Sequence, residues 1–205
     1  MGMFFNKNGK KEEKETPKLN WKQSLMIDLH DLLYVLAIFM VIYMLFFRVV
    51  VVVGTSMYDT LLDGDRLVLL SSAVYKEPER GDIIVASKES FNHGECIVKR
   101  VIATEGQTVD IDFVAGIVYV DGVALDEEYV YTPTTRPEGV MFPLKVGEGK
   151  VFVLGDNRDN STDSRNPLIG QIDKRDILGK AIFLLSPGTN RGTEQADFDR
   201  IGVID

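Results

Sequence analysis

The chain has 205 residues, of which 23 are basic and 31 acidic, and its net charge is −8. Residues 1–31 carry six lysines and five acids, so the other 17 basic and 26 acidic residues leave the rest of the chain near −9. A surface of that sign repels phosphate backbones, and no basic run interleaved with aromatics follows residue 22, which excludes nucleic acid as an expected partner.

Residues suited to metal or redox chemistry are few: one cysteine, Cys96, and two histidines, His30 and His93. They cannot form a disulfide within the chain or a zinc ligand set, so we expect no metal and no cofactor. Neither histidine suits the base of a Ser-His-Asp triad, because His30 precedes an apolar segment and His93 lies in a predicted turn. We expect Cys96 to pack as a small apolar side chain in a strand.

The N-terminal part of the chain predicts a tail followed by one membrane-spanning helix. Residues 7–18 are charged and lack apolar periodicity, which is typical of disorder. Leu32–Phe47 contains no charge and would span about 24 Å as a helix. Asp31 and a snorkelling Arg48 at its edges extend it toward the ~30 Å hydrocarbon core, which predicts a transmembrane helix over 29–48. A buried core helix and a cleaved signal peptide are the alternatives, although the apolar part of a signal peptide usually has about 7 to 15 residues.

The distribution of basic residues predicts the orientation of this helix. Six lysines precede the span, whereas Arg48 is the only basic residue between it and Arg66. The excess places a basic tail over 1–28 in the cytoplasm and a domain over 49–205 outside the cell. We therefore expect a single-pass protein of the cell membrane, in contact with phospholipid, with one extracytoplasmic domain.

Beyond the span, short apolar runs of strand length recur between turn residues. Val49–Val53 is entirely β-branched and favours a strand over a continued helix. Asp121-Gly122 supplies the positive φ angles of a type I′ hairpin turn. Residues 126–139 look like an exposed excursion and residues 190–200 like a loosely packed surface segment. No long amphipathic helix follows, so the predicted fold class is mainly β. The other predicted strands are Arg66–Leu70, Asp82–Ser87, Cys96–Ala103, Thr108–Asp112, Ile117–Val120, Val151–Leu154 and Ile177–Phe183.

Three polar segments are candidates for chemistry: GTSMYDTL over 54–61, the pair Lys99-Arg100, and GDNRDNSTDSR over 155–165. Taken alone, each is compatible with a turn, an exposed strand edge or a solvated loop. The third holds five charges and no large apolar side chain directly after a predicted strand. Charges packed so densely can satisfy one another and build a rigid frame around a small hydroxyl such as that of Ser161. The predicted pairs are Asp163 with Arg165, and Asp156 with either Arg100 or Arg158.

Ser56-Met57, Lys99-Arg100 and the 155–165 run, in this order behind one membrane span, resemble bacterial type I signal peptidases. Further likeness lies in Gly64-Asp65 and in two other short motifs, and the resemblance covers about residues 50–185, nearly the whole outer domain. The two other motifs are Arg80-Gly81-Asp82 and Leu178-Gly179-Lys180-Ala181.

The resemblance implies a Ser-Lys dyad on an extracytoplasmic antiparallel β-sheet domain with a barrel-like fold. Ser56 is then the nucleophile, Lys99 the general base, and Ser161 the hydroxyl that orients the lysine amine. Met57 lies beside the pocket for the residue before the cut, and the backbone N–H of Ser56 belongs to the oxyanion hole. The implied substrates are secretory preproteins, cut after small side chains. The residues expected to support this geometry are Asp163, Arg165, Asp156 and Arg100.

A lysine can act as a base only when its amine is unprotonated, so Lys99 must be desolvated. Strand alternation predicts that Ile97 and Val101 share its face. An apolar face without a nearby carboxylate disfavours the ammonium and lowers the pKa of Lys99. The neutral amine can then take the proton of Ser56.

Two positions depart from the family pattern. Asp59 stands where many members have proline, and this removes a rigid φ constraint near Ser56. Gly54 stands where some members carry a hydroxyl, so no side chain there can donate to the oxyanion, and the direction of Thr55 is open.

Two other functions fit parts of the pattern. One is a Ser-Lys protease that mainly cleaves itself, although the chain lacks the DNA-binding module of self-cleaving repressors. The other is a membrane-anchored β domain that binds exported proteins without cutting them, against which the intact pair Ser56 and Lys99 argues.

Overall fold

The computed structural model describes residues 20–89, 91, 94–188 and 196–204. The predicted tail up to residue 19 and His93 lie outside the described residues. The chain forms two compact units that divide after Ile42, and each is described by itself.

The first element is an α-helix, α1, over Trp21–Phe46. It begins where Asn20 caps it: the Asn20 carbonyl accepts a hydrogen bond from Ser24 N–H, and Gln23 Oε1 accepts one from Asn20 N–H. None of its residues is buried, and it is long and apolar enough to cross a membrane by length and composition. The helix starts earlier than the predicted span over 29–48.

Twelve β-strands follow the helix among the described residues. They include all seven strands that the apolar runs predict between Arg66 and Phe183, within a few residues at each end. Their bounds are β1 Phe47–Val51, β2 Arg66–Ser71, β3 Ile83–Ser87, β4 Cys96–Thr104, β5 Thr108–Asp112, β6 Ile117–Val120, β7 Val123–Ala124, β8 Leu144–Lys145, β9 Lys150–Leu154, β10 Ile172–Asp173, β11 Ile177–Ser186 and β12 Gly202–Val203.

Two local predictions are tested directly by this backbone. Asp121 and Gly122 have φ angles of 51° and 77° between β6 and β7, which confirms the hairpin turn. The β-branched run forms a strand, but β1 begins at Phe47 and ends at Val51. It ends there because Val51 pairs with Arg66, the first residue of β2, and the chain then turns.

The strands form two antiparallel sheets, which confirms the mainly β fold class. The larger sheet has the order β1-β2-β11-β3-β4-β9-β10, with β12 also paired to β11, and the smaller has the order β7-β6-β5-β8. Buried aliphatic side chains form three clusters: a first cluster around Leu67 and Leu69, a second around Val101 and Val153, and a third around Ile102 and Phe152. Strand β4 contributes to the second and third clusters, so its position is held from both sides.

Cys96 does not pack as predicted, because its thiol is exposed. It is the first residue of β4, and the alternation that buries Ile97 turns Cys96 away from the core. The described part of the segment over 190–200 lies at the surface as predicted, with Asp197, Phe198 and Asp199 exposed, but its end is fixed, since Arg200 forms an ion pair with the fully buried Asp65.

Candidate active site

Ser56 lies on a loop over 52–65 that is closed by hydrogen bonds between its two ends. The chain leaves β1 and turns at Gly54, whose φ of 93° is in the left-handed region that glycine adopts readily. Gly54 N–H donates to Asp63 Oδ1 at 2.7 Å. Met57 and Leu61 follow Ser56 and are buried in the first core cluster. The Ser56 hydroxyl is thus presented from an anchored loop.

Lys99 lies in the middle of β4, and its amine meets the Ser56 hydroxyl. Nζ is 2.6 Å from Ser56 Oγ and donates to the carbonyl of Val98 at 3.0 Å. The side chain is buried, with 4% of the residue exposed. Among the described residues, no carboxylate hydrogen-bonds the amine. The two groups predicted to act together therefore lie within hydrogen-bonding distance.

Burial lowers the pKa of Lys99 from its ordinary value to about 8. The buried carboxylates of Asp163 and Asp156 oppose this shift, and Arg165 assists it. The expectation that no carboxylate lies near the amine is therefore wrong. Desolvation nevertheless dominates, since it is the largest of these effects.

The polar run over 155–165 folds into the predicted frame, with Asp163 at its centre. Asp163 accepts hydrogen bonds from Ser161 Oγ at 2.8 Å, from Gly155 N–H at 3.1 Å and from Arg165 Nε at 2.9 Å. Asp163 and Arg165 are fully buried, and removing one partner from such a pair costs about 3–5 kcal/mol. The Ser161 hydroxyl thus contacts Asp163, and within the described chain the hydrogen bonds of Lys99 go to Ser56 and Val98.

The second predicted ion pair joins Asp156 to Arg100 and not to Arg158. Arg100 donates from Nε to Asp156 Oδ1 at 3.0 Å and from Nη2 to Oδ2 at 2.9 Å. Thr60 also donates its hydroxyl to Asp156, at 2.6 Å. Arg158 instead pairs with Glu127 at 2.6 Å, so the 126–139 excursion, although largely exposed, contributes to the frame.

Two asparagines that bind the loop over 52–65, which carries Ser56, were missed by sequence reasoning. Asn157 donates its backbone N–H to the Ser56 carbonyl and its side-chain amide to the Thr55 carbonyl, both at 3.0 Å. Asn160 donates to Thr55 Oγ1 at 2.6 Å, which gives the direction of that hydroxyl. Both asparagines lie in the run that the sequence singled out, and amide side chains beside a polar frame were the available signal.

A cleft of about 600 Å³ opens beside Ser56 and Lys99. Its walls come from the end of β1 and the two residues after it, over 50–53, and from the beginning of β4, including the exposed Cys96. Met57 also lines it. Elsewhere in the described residues, no cluster of three His, Cys, Asp or Glu side chains could hold a metal ion.

Comparison with known proteins gives consistent matches. The model of the family "Signal peptidase, peptidase S26" matches residues 26–186. Signal peptidase I of Bacillus licheniformis is 36% identical over 184 residues, covering 86% of this chain and 95% of that protein. Signal peptidase I of Bacillus amyloliquefaciens is 38% identical over 149 residues, covering 69% and 75%. A crystal structure of a signal peptidase I from Enterococcus faecalis V583 is 32% identical, with a TM-score of 0.43, over 51% of this chain and 97% of that one.

The matches define a peptidase of the kind that processes signal peptides. The chain belongs to the signal peptidase family, peptidase S26, and the family activity is the removal of signal peptides from preproteins.

Proposed function

We propose that the chain is a membrane-bound serine endopeptidase that removes N-terminal signal peptides by a Ser-Lys dyad, with Ser56 as nucleophile and Lys99 as general base. The observation that carries the proposal is the 2.6 Å distance between Lys99 Nζ and Ser56 Oγ, at a buried amine to which no carboxylate of the described residues is hydrogen-bonded. An ammonium locked to a carboxylate could not accept a proton, whereas this amine is placed to do so.

In the proposed reaction the neutral Lys99 amine takes the hydroxyl proton of Ser56 as Oγ attacks the carbonyl carbon before the cut. The tetrahedral intermediate collapses, the C–N bond breaks, and the Lys99 ammonium returns the proton to the leaving amine of the mature protein. Water, activated by the same amine, then hydrolyses the acyl-enzyme and frees Ser56.

The oxyanion of the tetrahedral intermediate needs a hydrogen-bond donor, and we assign that role to the Ser56 backbone N–H. Within the described residues no acceptor binds this N–H group, so it is available to a substrate. Gly54 has no side chain to add a second donor, whereas Thr55 Oγ1 accepts a hydrogen bond from Asn160, which leaves the hydroxyl hydrogen of Thr55 able to donate. A preorganised donor contributes about 10²–10³-fold in rate.

The polar frame has a supporting role in this proposal. We assign to Ser161 the role of orienting the lysine amine; in this structure its hydroxyl bonds to Asp163, which Arg165 holds in place, and the hydrogen bonds of Lys99 go to Ser56 and Val98. The pair of Asp156 and Arg100 fixes β4 next to Lys99. Met57 lines the pocket that receives the small side chain before the cut.

We further propose that α1 anchors the enzyme in the cell membrane, with the chain before the span in the cytoplasm and the catalytic domain, which begins at β1, outside. The span then ends at Phe46 and not at residue 48 as predicted, because Phe47 and Arg48 pair with Leu70 and Leu69 of β2. The length and composition of α1 support the anchor, and the lysines before it support the orientation. Secretory preproteins, which are themselves tethered to the membrane, are then the substrates.

The proposed function is tested by incubating the purified full chain with an exported preprotein in lipid vesicles. We expect a product whose N-terminal sequence begins directly after a small residue, and no product with Ser56→Ala. An excess of preprotein over enzyme separates turnover from self-cleavage. Binding of the preprotein without any cleavage by the wild-type chain would reject the proposal in favour of an accessory role.

We expect kcat/KM to rise with pH and to level off above about 8, the pKa of Lys99. Below that pKa the amine is protonated, so the rate should fall about tenfold for each pH unit. The measurement is the initial rate of cleavage across this range, with circular dichroism at each pH to show that the fold is intact. A rate that does not change through the same interval would contradict Lys99 as the base.

A further inference from the structure

A C-terminal segment, residues 196–204, packs onto the larger sheet beyond the end of the family match at residue 186. Its strand β12 pairs with β11, and Ile204 packs against the first core cluster. Before the strand, the Asp197 side chain accepts a hydrogen bond from Asp199 N–H and caps a short turn over Phe198–Arg200. The segment therefore presents Arg200 from a fixed place.

Arg200 forms a bidentate ion pair with the fully buried carboxylate of Asp65. Nη1 donates to Oδ1 at 3.0 Å and Nη2 to Oδ2 at 2.8 Å. The same carboxylate accepts the N–H groups of Leu62 and Gly188 at 2.8 and 2.7 Å. Arg200 is the only cation paired with Asp65 among the described residues. Because a buried carboxylate without its cation is unfavourable, this pair fixes the chain at Asp65.

Arg200 also holds Thr60, which lies closer to the nucleophile. Its Nη2 donates to the Thr60 carbonyl at 3.1 Å. On its other side Thr60 donates its hydroxyl to Asp156 at 2.6 Å, and Asp156 pairs with Arg100, the neighbour of Lys99 in β4. Thr60 is thus held between the C-terminal segment and the frame around the strand that carries the base.

Asp65 in turn closes the loop that contains Ser56. Val52 N–H donates to the Asp65 carbonyl at 2.8 Å, and Gly64 N–H donates to the Val52 carbonyl at 2.9 Å. Val52 at the start of the loop is therefore bonded to Gly64 and Asp65 at its end, and Ser56 lies between them. Asp65 and Ser56 therefore belong to one closed loop.

We propose that Arg200 is a positioning residue for the cleavage reaction: by holding Asp65 and Thr60, it keeps Ser56 Oγ in reach of Lys99. The inference rests on the proposed function, because Arg200 acts through the proposed nucleophile. It assigns a role in the reaction to a segment that lies outside the region matched by the family.

The test compares kcat and KM for cleavage of a preprotein by the full chain and its Arg200 variants. Arg200→Ala is expected to lower kcat about 10- to 100-fold, because a displacement of roughly 1 Å at a reacting atom has an effect of that size. KM should stay nearly unchanged, since the cleft walls from β1 and β4 remain. Arg200→Lys should recover part of kcat, because an ammonium keeps the charge without the planar fork of donors.

Arg175→Ala is the matched control. Arg175 also pairs with an aspartate, Asp173, at 2.8 Å, but its side chain is 88% exposed and lies outside the site. Its kcat should equal that of the wild type. Rates are expressed per folded molecule, counted by circular dichroism, so that a lower yield of folded enzyme does not imitate a lower kcat.

If Arg200→Ala does not fold, the double variant Arg200→Met with Asp65→Asn is measured in its place. It removes the buried charge of Asp65 together with the cation that pairs with it. A reduced kcat at nearly constant KM in either folded variant supports the positioning role. A wild-type kcat, or a rise in KM alone, overturns it. Ser56→Ala is measured alongside: turnover by that variant would reject the proposed nucleophile, whereas a wild-type kcat for the Arg200 variant beside an inactive Ser56→Ala rejects only the role of Arg200.

Discussion

Replacing Lys99 with alanine is expected to lower kcat by about 10²–10⁴-fold, because a positioned general base contributes that much to proton transfer. Lys99 Nζ is the only side-chain nitrogen within hydrogen-bonding distance of Ser56 Oγ among the described residues. No other group there is placed to take the proton. The measurement is the initial rate of preprotein cleavage at saturating substrate, above the pKa of the wild-type lysine.

Lys88→Ala is the matched control for this variant. Lys88 is also a partly buried lysine with a lowered pKa, but its amine donates to the backbone carbonyls of Ile169 and Gln171. Its loss should leave kcat unchanged. The double variant Ser56→Ala with Lys99→Ala should be scarcely slower than either single variant, because the two groups act as one unit. Near-wild-type turnover by Lys99→Ala would contradict the dyad.

Gly155→Ala is expected to lower kcat about 100-fold, although Gly155 touches no reacting atom. A Cβ at this position would lie 2.2 Å from Ser161 Oγ and 2.5 Å from the Ser56 carbonyl oxygen. The Ser56 carbonyl accepts a hydrogen bond from Asn157 N–H, so the loop over 52–65 cannot move away from the added methyl group without losing that bond. The added methyl group therefore displaces either the loop or the polar frame, and overpacking of this kind also destabilises by about 1–3 kcal/mol.

Gly202→Ala is the control, because a Cβ there would meet nothing within 4 Å. Both variants are compared by kcat and by thermal unfolding. The expected pattern is a slower and less stable Gly155→Ala beside an unchanged Gly202→Ala. Wild-type kcat for Gly155→Ala would show that the close approach of Ser56 to the frame does not matter for the reaction.

Local patterns were sufficient for most of the fold. Alternation and β-branching predicted the strands between Arg66 and Phe183, and Asp121-Gly122 predicted its hairpin, because each signal is contained in a few neighbouring residues. The end of β1 at Val51 was missed, since it depends on pairing with β2 and not on the β-branched run itself.

The site was predictable as a set of residues but less so as a set of contacts. The sequence offers Asp156 two partners, Arg100 and Arg158. Arg158 pairs with Glu127 instead, and this pair depends on the path of the 126–139 excursion, which the sequence does not predict. The orientation of Cys96 followed from which side of β4 packs against the core. Asn157 carried no charge pattern and was therefore overlooked, although it binds the Ser56 carbonyl.

Contacts over long sequence separations were the least predictable. Arg200 and Asp65 are 135 positions apart, and the sequence around Arg200 has the polar composition of a surface segment. Only the return of the chain along β11 brings the two together. Sequence motifs do not predict such a pair, because the residues around either partner carry no signal that indicates the other.

The protonation of Lys99 is the centre of the proposed mechanism, and nuclear magnetic resonance can titrate it in the full chain. ¹⁵N-labelled lysine signals would be followed with pH, and the Lys99 signal assigned by its absence from Lys99→Ala. The account predicts a midpoint at about 8 for this amine. A midpoint near the ordinary lysine value of about 10.4 would leave only about one amine in 2,500 neutral at pH 7, compared with about one in ten for a pKa of 8, and would contradict its role as the base.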